Sequence, residues 1–443
     1  MPSMLSGSEA SADFDSPQQS EPQEYTTRRF ERPDSATLCT MQLLLCLSLL
    51  VTSSAKPKDK SANKVEKIKA DDVPFKKRDD AIKIESPEEW RHLALPVGGS
   101  DARANASLAM ADGSVWIVGS TLKMMQYQWL MRAPAVGSPE HQIIDPGRIM
   151  AITNDGAGGA SAAGVLGATE DRGWFGSINA FGGQDAKQVY LSGGEGVISS
   201  ISRHNERLVL AGSHADEPGG SNVGWMIMAA ASGSETWSKS YGGDGEHVLH
   251  WATPLEAGGA AAVGRWHGTA STGDQAWYLR VDETGEVVVD QRWDTGGWSH
   301  LGTAIVHGTG DVIAAGLASG GPYGQEDGEA TLRILRIGDD GTTVWERSER
   351  HDVSDVSPGI PFRGGMALCV KTGEMSSIGR RTWLVQVSRE GTMIWTDLLL
   401  PVDVELAQLH PISDTQMGLL AVATGEDGVR WLHKTLEDFP PVQ

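Results

Sequence analysis

From about residue 88 onward, apolar and polar positions alternate with a period of two, in short bursts separated by glycine-containing turns. A period of two is that of a strand with one buried and one polar face. "HVLHWATPLEAGGAAAVGRW", from His247, holds two such bursts around a Gly-Gly turn, and "QAWYLRVDETGEVVVDQRW" holds two more joined by "DETG". Asp-x-x-Gly between alternating runs is a hairpin turn, so the segment predicts four consecutive antiparallel strands, A to D.

The unit recurs down the chain. B strands are predicted at 114–119, 159–166, 207–212, 259–264, 311–316, 374–379 and 417–424. C strands are predicted to open at Trp129, Trp174, Trp225, Trp277, Leu332, Trp383 and Trp431. D strands follow six of these, near Gln142, Lys187, Thr236, Val287, Thr343 and Met393. The seventh C strand has only Pro-Pro and the chain end after it. An orphan D-like segment, "EEWRHLALPVGG", precedes the first unit instead. The arithmetic closes if the orphan, residues 88–96, completes the last unit. The fold expected is therefore all-β: a seven-bladed β-propeller over residues 88–443, with four-stranded antiparallel blades, the last closed by the N-terminal strand. Such closure leaves no unpaired edge between first and last blades. A monomer is expected.

Of the 15 tryptophans, eleven fall at two positions of the unit. Six open C strands, and Trp90, Trp237, Trp293, Trp345 and Trp395 lie on D strands. Large aromatics at fixed positions of a repeat are predicted to pack blade against blade.

The C-turn-D unit, as in "AWYLRVDETGEVVVDQRWDTGG" and "TWLVQVSREGTMIWTD", resembles the repeats of secreted prokaryotic propellers of the form W-L-x-x-x-D-x-x-G-x-x-x-W-x-x-x-x-G-G. The resemblance covers roughly residues 88–436 and implies the fold rather than an activity. "D-x-x-G-x-x-x-W" is also similar to the tryptophan-docking repeats of quinoprotein dehydrogenases. Those have eight blades and adjacent cysteines at the cofactor. This chain has seven units and, after residue 87, one cysteine, Cys369.

Ahead of the repeats, "MQLLLCLSLLVTSSAKPK" has the short apolar run and small residues of a signal peptide, assigned to residues 41–55. The run is too short to span a bilayer, and no transmembrane span is expected. Residues 1–40 are either a disordered extension or lie upstream of a true start at Met41. Residues 56–87 are charged and poor in apolar positions, as in a disordered linker. The localisation that follows is secreted, periplasmic or cell-surface. Cys39, Cys46 and Cys369 offer neither metal-ligand spacing nor a disulfide framework.

Charge changes the picture of partners. The net charge is −21, and residues 88–443 carry 24 basic against 44 acidic residues, a balance of −20. That surface repels phosphate backbones and excludes nucleic acid as a partner. It either favours cations and basic partners or only maintains solubility.

In a propeller the B–C and D–A connections emerge on one face, and the longest connections here belong to that set: 213–223, 265–275, 318–330 and 350–362. Length beyond the need of a turn points to function. Carboxylates on these connections, Asp244, Glu246, Asp274 and Asp294 among them, are candidate cation ligands, and Ca2+ is the cation they would suit. Trp266, His267, Trp298, His300 and His247 are candidate ligand-binding residues on the same face. His247 and His250 are three apart on one strand and cannot chelate together. The sequence carries no nucleophile elbow, zincin helix, phosphate loop or dinucleotide fingerprint. A binding propeller without catalysis, engaging a protein or glycan partner through its acidic long-loop face, is the leading expectation. The alternatives are a polysaccharide hydrolase or lyase with carboxylates near the channel and, third, a quinone-dependent oxidoreductase.

Overall fold

The computed structural model describes residues 76–77, 82–83, 90–93 and, apart from short gaps, 102–436. The proposed leader segments, 1–40 and 41–55, and most of 56–87 lie outside the described residues. Within the described residues every regular element is a strand.

The strands form seven four-stranded antiparallel blades. The third blade shows the plan: Glu195–His204, Arg207–Ala215, Val223–Ala230 and Glu235–Tyr241 pair in sequence order. Gly245–Pro254, Ala260–Gly268, Gln275–Val281 and Val287–Trp293 repeat it as the fourth blade, and Ser299–Val306 through Thr343–Arg350 as the fifth. The first and second blades share one continuous strand, Glu140–Asn154, outermost in one and innermost in the next. Gly147 lies at the change-over with φ of 148°, where any side chain would collide with the Val165 carbonyl.

The ring closes as the strand count required. Arg91–Leu93 pairs antiparallel with Gly428–Leu436 and completes the seventh blade from the N-terminal side. Its Arg91 guanidinium donates to the carbonyls of Pro134 and Gly137 in the first blade, at 2.7 and 2.8 Å. Inside the segment expected to be a linker, Lys76–Lys77 and Ile82–Lys83 run parallel to Met393–Leu399, the outer strand of the sixth blade.

The sixth blade departs from the sequence expectation. Residues 350–362 read as a loop and 374–379 as the B strand; instead Val353–Val356 and Ile360–Phe362 form the innermost strand in two pieces, and Gly365–Ser376 is the second strand. Pro358 sits between the pieces, and a residue without an N–H interrupts a ladder.

A β-bulge recurs on the innermost strand of six blades. It falls between Ala104 and Ala106, Ile149 and Ala151, Ile198 and Ser200, Leu249 and Trp251, Leu301 and Thr303, and Val353 and Asp355. The extra residue tips the strand and presses a carbonyl onto the next strand. In five blades a glycine receives it: Gly119, Gly164, Gly212, Gly264 and Gly316, where any Cβ would collide with that carbonyl oxygen. The glycines that close the B-strand pattern are therefore required by packing.

The core lies between blades. Trp129, Trp174, Trp225, Trp277 and Trp431 are buried to 2% exposure or less. Each such indole removes on the order of 200 Å2 from water, about 5 kcal/mol before entropy is set against it. Three D-strand tryptophans also reach the next blade. Trp237 Nε1 donates to the Glu283 carbonyl at 2.9 Å, Trp293 Nε1 to Thr343 Oγ1 at 3.1 Å, and Trp345 Nε1 to the Arg389 carbonyl at 2.8 Å.

Candidate functional site

The innermost strands of all seven blades surround a cavity of about 620 Å3. Strand edges rather than faces look inward, so few side chains reach it, and the bulges supply several of those that do. Asn105, Met150, Ser199, His250 and Gly302 are the extra residues of five bulges, and all five line the cavity. His300, Asp355, Lys371 and Gln408 add polar groups. Trp251 supplies an aromatic surface, shared with a second cavity of about 800 Å3 toward the A–B turns.

The strongest local constellation joins the fourth and fifth blades. The His250 and His300 rings meet edge to face, centroids 5.3 Å apart, and Trp298 stacks on His300 at 5.7 Å with 14° between planes. Burial drives the His250 pKa down to about 3, reinforced by the adjacent His300 ring and the Arg265 guanidinium. Burial and then Arg265 lower that of His300. Both rings are therefore neutral at ordinary pH, each offering one donor and one acceptor. Lys371 Nζ donates to the Glu405 carbonyl and stands 3.9 Å from Asp355 Oδ2.

The sequence-predicted residues divide. His300 lines the cavity and Trp298 backs it. His267 lies just outside, its Nδ1 2.9 Å from Asp274 Oδ1, while Asp274 Oδ2 takes Arg265 Nη1 at 3.2 Å. His247 is fully buried, stacked on Trp266 at 5.2 Å and edge-on to Trp277 at 6.0 Å. Its Nδ1 accepts the His267 backbone N–H at 3.3 Å, and burial lowers its pKa. Arg292, clasped by Asp290, lies over Trp266 at 4.3 Å. His247 and Trp266 thus belong to the packing between the third and fourth blades.

The carboxylates proposed for a cation do not gather. Asp274 is engaged by Arg265 and His267; Asp294 Oδ1 accepts the Gly296 N–H at 2.8 Å within its own turn; Asp244 and Glu246 are exposed. Among the described residues no group of three or more His, Cys, Asp or Glu side chains stands close enough to hold a metal ion.

Sequence reasoning passed over His250, Arg265 and Lys371. His250 and His247, three apart on one strand, cannot share a ligand, and the two do part: one enters the blade interface, the other the channel. Asp355 falls in a stretch whose sequence reads as a loop and instead lies on the innermost strand. A histidine midway along an A strand, where the corresponding residues of four other blades are Asn105, Met150, Ser199 and Gly302, is the available signal.

No protein-family model and no curated protein matches the sequence. Solved structures do. The chain is similar to the polysaccharide lyase Uly1, with TM-score 0.51 and 10% identity over 81% of this chain and 96% of that one. It is also similar to BBS1N in complex with ARL6DN, with TM-score 0.47 and 12% identity over 80% and 99%, and to a Synechocystis apocarotenoid oxygenase, with TM-score 0.46 and 10% identity over 80% and 99%. At such identities the likeness is one of fold: this chain is a seven-bladed β-propeller.

Proposed function

We propose that this protein is a binding propeller that takes a polyhydroxylated ligand, a glycan, into the His250/His300 end of its central channel. The observation that carries this reading is the neutral histidine pair beside Trp251 and Trp298. Neutral imidazoles exchange hydrogen bonds with hydroxyls in either direction, and indoles cover the apolar faces of sugar rings. A cavity of about 620 Å3 falls within the range of small-ligand sites. Asn105, Ser199 and Gln408 extend the same uncharged polar chemistry around the wall. Export to the periplasm, the cell surface or the medium is part of the proposal and rests on residues 41–58.

A hydrolase or lyase is the second reading, and one observation weighs against it. Asp355 is the one acidic side chain among the described residues lining the cavity. Glu349, whose pKa burial raises, sits on the outer strand of the fifth blade. Paired-carboxylate chemistry needs both groups at one bond.

A glycan array with the full chain, followed by calorimetric titration of the best binder, tests the proposal. His250→Ala and His300→Ala should each weaken binding at least tenfold; unchanged affinity in both would remove the channel as the site. Shortened or unsaturated oligosaccharide products after incubation would establish the enzyme instead.

A further inference from the structure

A second histidine pair lies in the seventh blade and has no part in the glycan reading. His410 is on the innermost strand, Leu406–Pro411, and His433 two strands outward on Gly428–Leu436. Their Nε2 atoms face each other at 3.0 Å, with ring centroids 4.7 Å apart. The strand between them would ordinarily keep them apart. At Gly418, paired with His410, any side chain would collide with the His410 ring, so glycine opens the gap through which the imidazoles meet.

The pair faces the seam where the ring closes. Val429 and Trp431, which alternate with His433, pack against the first blade, and Gln408, which alternates with His410, accepts the Ser107 N–H at 2.9 Å. His410 also lines the central cavity, which gives solutes a route to its ring.

We infer that His410 and His433 form a two-imidazole site for a borderline first-row dication such as Cu2+. Nitrogens about 2.0 Å from one metal are about 2.8 Å apart when cis on a square plane and about 3.3 Å apart in a tetrahedron. The observed 3.0 Å lies between the two and nearer the first. Imidazole suits Cu, Zn and Ni, and water from the channel completes the coordination. Without a cation one ring donates its Nε2–H to the other. Coordination requires that ring to carry its proton on Nδ1 instead, an exchange through solvent that releases no net proton.

The test is titration of the full chain with Cu2+ alone, read by calorimetry and electron paramagnetic resonance. One equivalent should bind with hyperfine structure from two nitrogens, and His410→Gln and His433→Gln should each weaken it at least tenfold. Equal affinity in both variants, or a spectrum with no nitrogen ligands, would overturn the site. Should the variants fold poorly, imidazole 15N spectra of the unaltered chain with Zn2+ decide: both rings must shift together at one equivalent. Persistence of the N–H···N pair in excess Zn2+ would overturn it equally.

Discussion

Trp345 donates its indole N–H to the Arg389 carbonyl at 2.8 Å, 44 residues further along the chain and one blade further round the ring. Trp237 makes the same reach to Glu283 at 2.9 Å. Trp237, Trp293 and Trp345 therefore latch the third, fourth and fifth blades onto the C–D hairpin of the next. Trp237→Phe and Trp345→Phe should each lower stability by about 1 kcal/mol, the usual net value of such a bond. Trp345→Phe should cost less, because Arg389 also accepts Arg336 Nη1 at 3.2 Å and keeps a partner. Denaturant unfolding of both variants checks the order.

Glycines of similar appearance should respond oppositely. Gly264→Ala drives a methyl group into the Val248 carbonyl and should destabilise by about 3 kcal/mol. Gly302→Ala has open space around the new Cβ and an ordinary φ, so it should change stability little. Calorimetric melts compare the two directly; equal losses would contradict the bulge account.

Ring closure predicts a third pair of outcomes. Arg91→Ala removes two charge-assisted bonds to the first blade and the contact over Trp431 at 5.2 Å, with an expected loss of about 2 kcal/mol. Deletion of residues 88–99 uncovers the Val429–Trp431 edge and should produce aggregation, visible by size-exclusion chromatography. A monomeric, equally stable truncation would refute closure by this strand.

Acid should weaken the fold through its histidines. His214, His247, His250, His300, His410 and His433 all have pKa values lowered chiefly by burial. Below about pH 6.5 the unfolded chain takes up protons that the folded state refuses, so stability falls as pH drops, for His250 down to about pH 3. Glu349, with a raised pKa, acts in the opposite sense: its stabilising share is present in acid and lost as pH rises. Melting temperature should decline from about pH 6.5 to about pH 4, and His250→Asn should flatten that slope. A flat wild-type profile would contradict the burial of these rings.

What could be read from the linear chain was everything local or periodic. Alternation, hairpin turns and the tryptophan spacing stated the number of strands, the number of blades and the need for an N-terminal partner strand. Each of these is set by neighbours in sequence, as a side chain's face on a strand is set by parity. The sixth blade escaped because Pro358 cuts its innermost strand into pieces too short to show a period.

The sites depended on convergence, which the chain does not write down. His247 and His250 look alike in sequence, yet a bulge beside Leu249 leaves one in the blade interface and sends the other to the channel. His410 and His433 meet only because Gly418, on the strand between them, has no side chain. Closing seven sheets into a ring brings together single residues from segments about fifty positions apart. That meeting is a property of the closed ring, so the tertiary structure alone decided it.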